Sequence, residues 1–365
     1  MNIEQGKYIH VVNVDGPNFK PNTFRFNANG ASADDFIIIF NVKGNSIRFD
    51  SCEFGSLNGY AHRVIWNMPN VTSLYVGNVR VYGTILAPKA YAHSTNNNLQ
   101  GQIIVKDFNG SLQVDWVKFK ACLPIVNGTQ KTESEGEQTQ PETDTEQDND
   151  QNTEQDNDQD DEPDTEPEEL QPDDEENVPE VQVGDNENVE EDTDSENENN
   201  EVENDTDSED ENNASYCDDD FPFGIVSNFG AFSFNNFIAS ASDVQGRIAA
   251  KNLVDVSSYS INEFFYGGGR FRCDQEPLKS DFPFAVVAGK VKISDAGLYN
   301  GGIAYIDNVD GVSNDIQSSI INNGCQIAKI QNLIDFDKVE EKMNKISEEL
   351  AELADTDSVS LFVYK

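Results

Sequence analysis

The chain has 365 residues with 68 acidic against 24 basic side chains, a formal net charge of −44. That charge is local: residues 132–216 hold 38 Asp and Glu and no Lys or Arg, leaving 30 acids against all 24 bases elsewhere, a net of about −6. Such a balance excludes the basic surface that nucleic-acid binding needs, and no stretch approaches the roughly 20 apolar residues of a membrane span.

The start, MNIEQGKYIHVV, lacks the basic and apolar regions of a secretory signal. Read literally it is a cytosolic N-terminus; it reads equally as a chain that begins inside a domain. Residues 1–124 then run in short apolar bursts, each followed by a Gly, Asn, Asp or Pro turn signal: YIHVVNVDG, TFRFNANG, DFIIIFNVKG, SIRFDSCEFG, RVIWNMPN, SLYVGNV, GTILAPKA, GQIIVKDF and SLQVDWVKF. Their length and richness in Val, Ile and aromatics predict strands, and no stretch has helical period. Spacings of about ten residues fit a sandwich, a barrel or a solenoid. The pair GTILAPKA and GQIIVKDF, separated by a turn-like Ser, Thr and Asn run, tilts the reading to a right-handed β-helix or solenoid, in which each coil adds one strand to a stacked parallel sheet.

Residues 125–216 form the second segment. Few aliphatics and the dense negative charge predict a disordered, self-repelling linker, and TEQDNDQ at Thr145 followed by NTEQDNDQ at Asn152 marks low-complexity growth. Weak Ca²⁺ association is conceivable for such a tract, but it lacks the Asp-x-Asp-x-Asp-Gly loop that fixes ligand geometry. No other cofactor is expected. Sequons occur at Asn70, Asn109, Asn127, Asn204 and Asn213 and matter only in a secreted protein. The five cysteines, Cys52, Cys122, Cys217, Cys273 and Cys325, show no zinc spacing. They read as buried thiols or one or two disulfides, and Cys122 with Cys217 would close the linker's neck if paired.

Residues 217–365 repeat the pattern of the first block in FGAFSFNNFIAS, SDVQGRIAAKNLVDVSSYSI and FPFAVVAGKVKISDAGLYNGGIAYID, with turns at Gly267 to Gly269. One amphipathic helix is expected at about 335–355, with Phe336, Val339, Met343, Ile346, Leu350 and Leu353 as its apolar stripe and Asp337 and Glu340 as a capping box. A helix packed along its own domain is favoured over a coiled-coil dimer.

Catalytic motifs are absent from the sequence: there is no GxSxG, HExxH or P-loop, and His10, His62 and His93 have no matching nucleophile phrase. The glycine run from Tyr266 to Gly269 reads as a turn rather than a phosphate cradle. Arg63, Arg80, Asp107 and Asp115 could form the acid-and-base face of a polysaccharide-active β-helix enzyme, and solvated surface charge is the simpler account. No metal site, cofactor site or catalytic residue is assigned.

Taken together, RVIWNMPNVTSLYVGNVRVYGTILAPKA and LQGQIIVKDFNGSLQVDWVKF resemble the second half of the choice-of-anchor A domain, an adhesive module of secreted and surface proteins. Trp66, Asn67, Pro69, Gly83, Leu86, Ala87, Pro88, Ala90, Gly101 and Phe119 stand at its motif positions. SDVQGRIAA, with Asp243, Gly246, Arg247 and Ala249, and the helical IDFDKVEEKMNKISEELAEL resemble the family's first half. QVDWVKF departs from the pattern in lacking the family's His before the terminal aromatic. The halves also stand in reversed order around the linker, as in a fragment of a tandem array or a circular permutant whose halves associate. The resemblance implies a non-enzymatic, extracellular or cell-surface adhesive or structural module with a matrix, cell-wall or polysaccharide ligand. A polysaccharide-active enzyme and an ice-binding-like solenoid are the alternatives.

Overall fold

A computed structural model describes residues 1, 7–16, 19, 24–124, 215–216, 222–263, 273 and 282–354. The chain divides into two compact units, Met1–Gln130 with Asp210–Lys365, and Lys131–Glu209. The described residues belong to the first; of the predicted linker only Ser215 and Tyr216 fall among them.

The chain enters with β1 (Ile9–Asp15), followed by β2 (Ile37–Lys43) and β3 (Ser46–Asp50), then β4 (Val64–Asn67), β5 (Ser73–Gly77) and β6 (Arg80–Tyr82). Two long strands follow, β7 (Thr84–Gly101) and β8 (Ile103–Trp116). A short antiparallel pair, β9 (Leu123–Pro124) with β10 (Ser215–Tyr216), closes the neck of the acidic segment. The strands resume with β11 (Phe229–Ser233), β12 (Asn236–Val244), β13 (Arg247–Ile261), β14 (Phe284–Ser294), β15 (Gly297–Leu298) and β16 (Gly302–Asp310). Helix α1 (Asn314–Asn322), β17 (Ile327–Lys329) and helix α2 (Phe336–Ala351) complete the unit. The described residues are thus all-β with two α-helices.

Apart from the neck, all described strands belong to one 15-stranded sheet whose ladders are parallel. Register divides it into three ladders, which the central passes of the chain visit in turn and the outermost passes only in part. In β7 and β8, Ile85–Ala87 meets Ile103–Val105, Tyr91–Ser94 meets Asp107–Gly110, and Asn97–Gly101 meets Leu112–Trp116. The first ladder is the longest, running β1, β2, β4, β7, β8, β11, β13, β14, β16 and β17 in chain order.

Side-chain alternation explains the apolar runs. On the first ladder, Phe40, Trp66, Ile85, Ile103, Ile248, Val286 and Ile303 point into a core shared by all three ladders. Their neighbours Leu86, Ile104, Phe232, Ala249, Val287 and Ala304 point outward under α2. Both faces of this ladder are covered, so IIIF, TILA, IIV and AVVA show no polar alternation. The stripe on α2 is the predicted one: Phe336, Met343, Ile346 and Leu350 are buried, with Val339 and Leu353 packed beside them.

Four sequence expectations change. GTILAPKA and the polar run after it form one strand, because the SerThrAsn stretch turns a corner between ladders without leaving the sheet. Within TFRFNANG the described residues make only a single bridge at Asn27, as Phe24 packs into the core and Phe26 against it. Among the described residues there are two α-helices rather than one. Helix α1 escapes notice because its nine residues bury only Ile316 and Ile320 and leave Ile321 70% exposed, too narrow a stripe for periodicity to register. Finally, α2 begins earlier than the predicted box, with Asp335 as N-cap accepting from the Lys338 amide, and Asp337 in the first turn. The glycines at 267–269, like Tyr266, lie outside the described residues.

No crossover occurs where the two blocks meet. β8 is hydrogen-bonded to β11 and β12 in parallel register, so the strand order follows the chain across the acidic segment. Buried Gln102, from the GQIIV phrase, donates to the Phe229 carbonyl at 2.8 Å and, more weakly, to those of Val226 and Ser227. The Tyr259 hydroxyl donates to the Leu112 carbonyl at 2.9 Å. An edge so thoroughly paired should survive loss of the covalent tether. After cleavage at a protease site engineered between residues 150 and 190, and with reductant present because Cys122 is disulfide-bonded, the two fragments are expected to co-elute as one species on size exclusion. Separate elution of the fragments would contradict this.

Candidate functional site

Helix α2 covers the outer face of the first ladder; the outer face of the second bears side chains in open registered columns. One column runs Arg48, Tyr75, His93, Asn109, Ile238, Asp255, Lys292 and Asp310. Eight strands at about 4.8 Å spacing make a strip roughly 34 Å long. Its aromatic end is organised: the Arg48 guanidinium lies 3.8 Å over the Tyr75 ring, Tyr75 stands 5.9 Å from the His93 ring, and the Tyr75 hydroxyl meets Thr95 Oγ1 at 2.7 Å. Tyr91, two residues from His93 on the same face, is 48% exposed. Lys292 and Asp255 pair at 3.1 Å further along. The strip thus passes from aromatic and amide groups to alternating charge.

Beside this strip, where the chain turns to the third ladder, lies an open polar groove of about 580 Å³ lined by Asn78, Arg80, Asn96, Asn98, Gln113 and Ser242, among others. Asp115 on the third ladder accepts from Asn98 at 2.9 Å, Gln113 at 3.1 Å and Gln245 at 3.0 Å. Asp243 is the groove's perturbed acid: burial, then the nearby Asp115 and Glu263 carboxylates, raise it to about 6. A raised acid binds protons in the folded state that the unfolded chain has released, so between about pH 4 and 6 stability from this group falls as pH rises. Replacing Asp243→Asn should therefore stabilise the protein at pH 7.5 by about 1 kcal/mol after discounting for solvent screening, and by almost nothing at pH 4. Urea melts at the two pH values check this, and an equal gain at both would refute the electrostatic cause.

The sequence-predicted positions fall into structural roles. Trp66 is fully buried and stacked on Phe40, and its indole N–H donates to the Tyr82 carbonyl. Asn67 is fully buried beneath α2, while Pro69 is buried in the turn after β4. Leu86 packs under α2; Ala87 and Ala90 face the inner core. Pro88 sits where the register shifts between the first two ladders, a place where its missing N–H costs no ladder bond. Gly83 has φ +114°, and a Cβ on Gly101 would lie 2.0 Å from the Gly83 carbonyl oxygen, so successive passes touch at this corner. Gly246 lies against the Trp116 ring and Phe119 is buried beside Phe223. Ala249 lies under α2. Arg247 is buried, donates to the Asn228 and Phe282 carbonyls, and is lowered to about 10 by that burial.

The four residues of the enzymatic alternative are dispersed. Arg63 is buried and pairs with Asp34, Arg80 lines the groove, Asp107 accepts from Asn235 and Asn236 at the second ladder, and Asp115 is held by amides on the third. His10 is buried against the Lys7 carbonyl, and burial lowers His62 below the usual imidazole range. Among the described residues no group of three His, Cys, Asp or Glu is placed to hold a metal. Cys273 and Cys325 form a disulfide, Cys52 is a buried thiol, and the suggested partner of Cys122, Cys217, lies outside the described residues. Of the sequons, Asn70 is exposed and Asn109 half-buried on the second ladder, whereas Asn127, Asn204 and Asn213 are outside the description.

Comparison with known families matches residues 2–116 and 222–362 to the family described as "Putative Ice-binding-like adhesive domain". The chain belongs to this family. The match covers both blocks and skips the acidic segment between them, and it establishes an adhesive-domain family without singling out the choice-of-anchor A domain. No curated protein and no solved structure matches the chain. Among the described residues no helix is long and apolar enough to cross a membrane.

The aromatic strip and the groove were missed by sequence reasoning. Tyr75 sits in a strand phrase read only for its apolar residues, Tyr91 and His93 fall just beyond GTILAPKA, and Asn96 to Asn98 read as a turn. Their shared face becomes visible only when register places them side by side.

Proposed function

We propose that this unit is a non-enzymatic adhesive module of an extracellular or cell-surface protein, and that the outer face of its second ladder meets a polysaccharide or matrix polymer. The registered strip from Arg48 to Asp310 carries the reading: its length of roughly 34 Å suits an extended polymer, and the exposed Tyr91 beside the half-buried Tyr75 offers stacking area next to hydrogen-bonding groups. In this reading the repeated visits to three ladders are the coils of a right-handed β-helix, and the resemblance to choice-of-anchor A motifs reflects shared corners and helix-docking positions. It needs no cofactor, and the acidic segment acts as a spacer with at most weak Ca²⁺ association.

The family description also names ice binding, which needs a flat array of repeated small or Thr side chains. The strip instead mixes Arg, Tyr, His, Ile, Asp and Lys in one column. Thermal hysteresis of the purified protein is therefore expected to stay at the colligative level. Incubation with insoluble cellulose, chitin and pectin, scored for retention and for released sugar, tests the main reading. Retention without release is expected; release of sugar without retention would favour the polysaccharide-active enzyme instead.

A further inference from the structure

The turn from the second ladder to the third repeats one device. Ser51, Asn78, Asn96, Ala241, Ser258 and Asp295 each stand there with φ between +47° and +57°. Asn and Asp tolerate this left-handed conformation better than most residues. Strand β8 breaks the pattern. Between positions in register, Thr95 and Asn96 of β7 face Ser111 alone, and Ser240 to Asp243 of β12 face only Ser111 to Gln113. The β8 turn is one residue shorter than the turns on either side. It is drawn inward and held: a Cβ on Gly110 would lie 2.0 Å from the Ser94 carbonyl oxygen, and Ser94 Oγ donates to the Ser111 carbonyl at 3.0 Å.

The groove is the gap this shortening leaves between the turns at Asn96 and Ala241. Asn78, Asn96 and Asn98 line it together with Gln113, the register neighbour of Asn98, and Ser242 of β12. Asn98 is only 9% exposed, and while its amide N–H donates to Asp115, its Oδ1 is buried with no protein donor. Side-chain amides offer one donor group and one acceptor each, the match for neighbouring sugar hydroxyls, which also do both. Asp115, Asp243 and Glu263 gather on one side and outweigh the single Arg80, which disfavours an anionic ligand. Tyr75, through its contact with Thr95, sets an aromatic ring at the groove's edge.

We infer that the groove is a binding site for a neutral, hydroxyl-rich sugar unit of the polymer that lies along the second ladder. The inference rests on the adhesive reading and assigns it a specific subsite and substrate class. The full chain is titrated calorimetrically with cellohexaose, chitohexaose, mannohexaose and hexagalacturonate, as wild type, as the Asn78→Gly/Asn96→Gly double variant, and as Ser242→Trp. Glycine accepts φ above zero, so the double variant removes two amides without straining the turns, and Ser242→Trp fills the groove by a different route. At least one neutral hexaose is expected to bind, with both variants weakening it tenfold or more and hexagalacturonate not binding. No binding of any neutral hexaose at millimolar concentration, equal affinity in a folded variant, or preference for hexagalacturonate would overturn the inference. Retention on insoluble polysaccharide separates the two readings: if it persists while the hexaose result fails, the groove is wrong and the adhesive face stands.

Discussion

Trp66→Ala is expected to lower the unfolding free energy by about 3–5 kcal/mol, the range for truncating a buried large aromatic. Trp66 is fully buried at the centre of an aromatic cluster, with ring centroids 4.2 Å from Phe40, 4.8 Å from Phe54 and 5.3 Å from Phe49. The stack on Phe40 is nearly parallel, 13° between planes, and links two adjacent strands of the first ladder. Truncation removes transfer energy and leaves a cavity that stiff neighbouring strands cannot collapse around. It also strips the Tyr82 carbonyl of the indole donor 2.9 Å away, at a corner where three passes of the chain meet. At about 2–4 °C per kcal/mol for a domain of this size, the melting temperature should fall by roughly 10 °C. Trp66→Phe should cost much less, because it keeps the stack and loses the hydrogen bond. The chain has only two tryptophans, so fluorescence of the remaining Trp116 follows unfolding in both variants. A loss below about 1 kcal/mol for the alanine variant would show that the cluster repacks.

The residues that made the fold legible were those whose burial is one-sided or doubled. Continuous apolar phrases such as DFIIIF and GQIIV announced strands, and their lack of alternation now follows from α2 lying over the first ladder. The stripe on α2 was equally plain because Phe336 to Leu350 keep helical period over four turns. What the sequence did not show was register. The same Ser, Thr and Asn residues that signal a turn in isolation continue β7 around a corner, since parallel neighbours above and below satisfy their backbone groups. The candidate surface was hidden for a related reason. Tyr75, His93 and Asn109 are 16 to 18 residues apart in the chain and adjacent only through pairing, and the groove arises from a one-residue deficit in β8 that has no compositional signature. Asn67 shows the opposite case: its position was flagged by resemblance, and its physical role appeared only with the helix in place.

That role gives the second large effect. Asn67→Ala is expected to destabilise the unit by about 3 kcal/mol, through loss of a closed buried network rather than loss of volume. The Asn67 amide N–H groups donate at 2.8 Å both to Asn41 Oδ1 and to the Ser347 carbonyl, and its Oδ1 accepts from Ser347 Oγ at 2.5 Å. Asn41 in turn donates at 2.8 Å to the Leu350 carbonyl in the last turn of α2, where helical partners run out. Asn13, Asn41 and Asn67 are in register on adjacent strands, so they form a polar step at the end of a column whose next members, Leu86 and Ile104, are apolar. The step fixes where the helix stops along the ladder, and it joins residues 280 positions apart on opposite sides of the acidic segment. Alanine would leave the Ser347 hydroxyl and the Asn41 carbonyl oxygen buried without these partners, each costing about 1–3 kcal/mol. Ser347→Ala alone should cost less, and the double variant should fall well short of the sum, giving a coupling energy of about 1 kcal/mol or more in a denaturation cycle. Hydrogen exchange supplies an independent readout: amides in the last two turns of α2 should lose protection in Asn67→Ala before those of β7 and β8. Additive costs with unchanged helix protection would mean that the apolar stripe alone seats α2, and that Asn67 merely fills space.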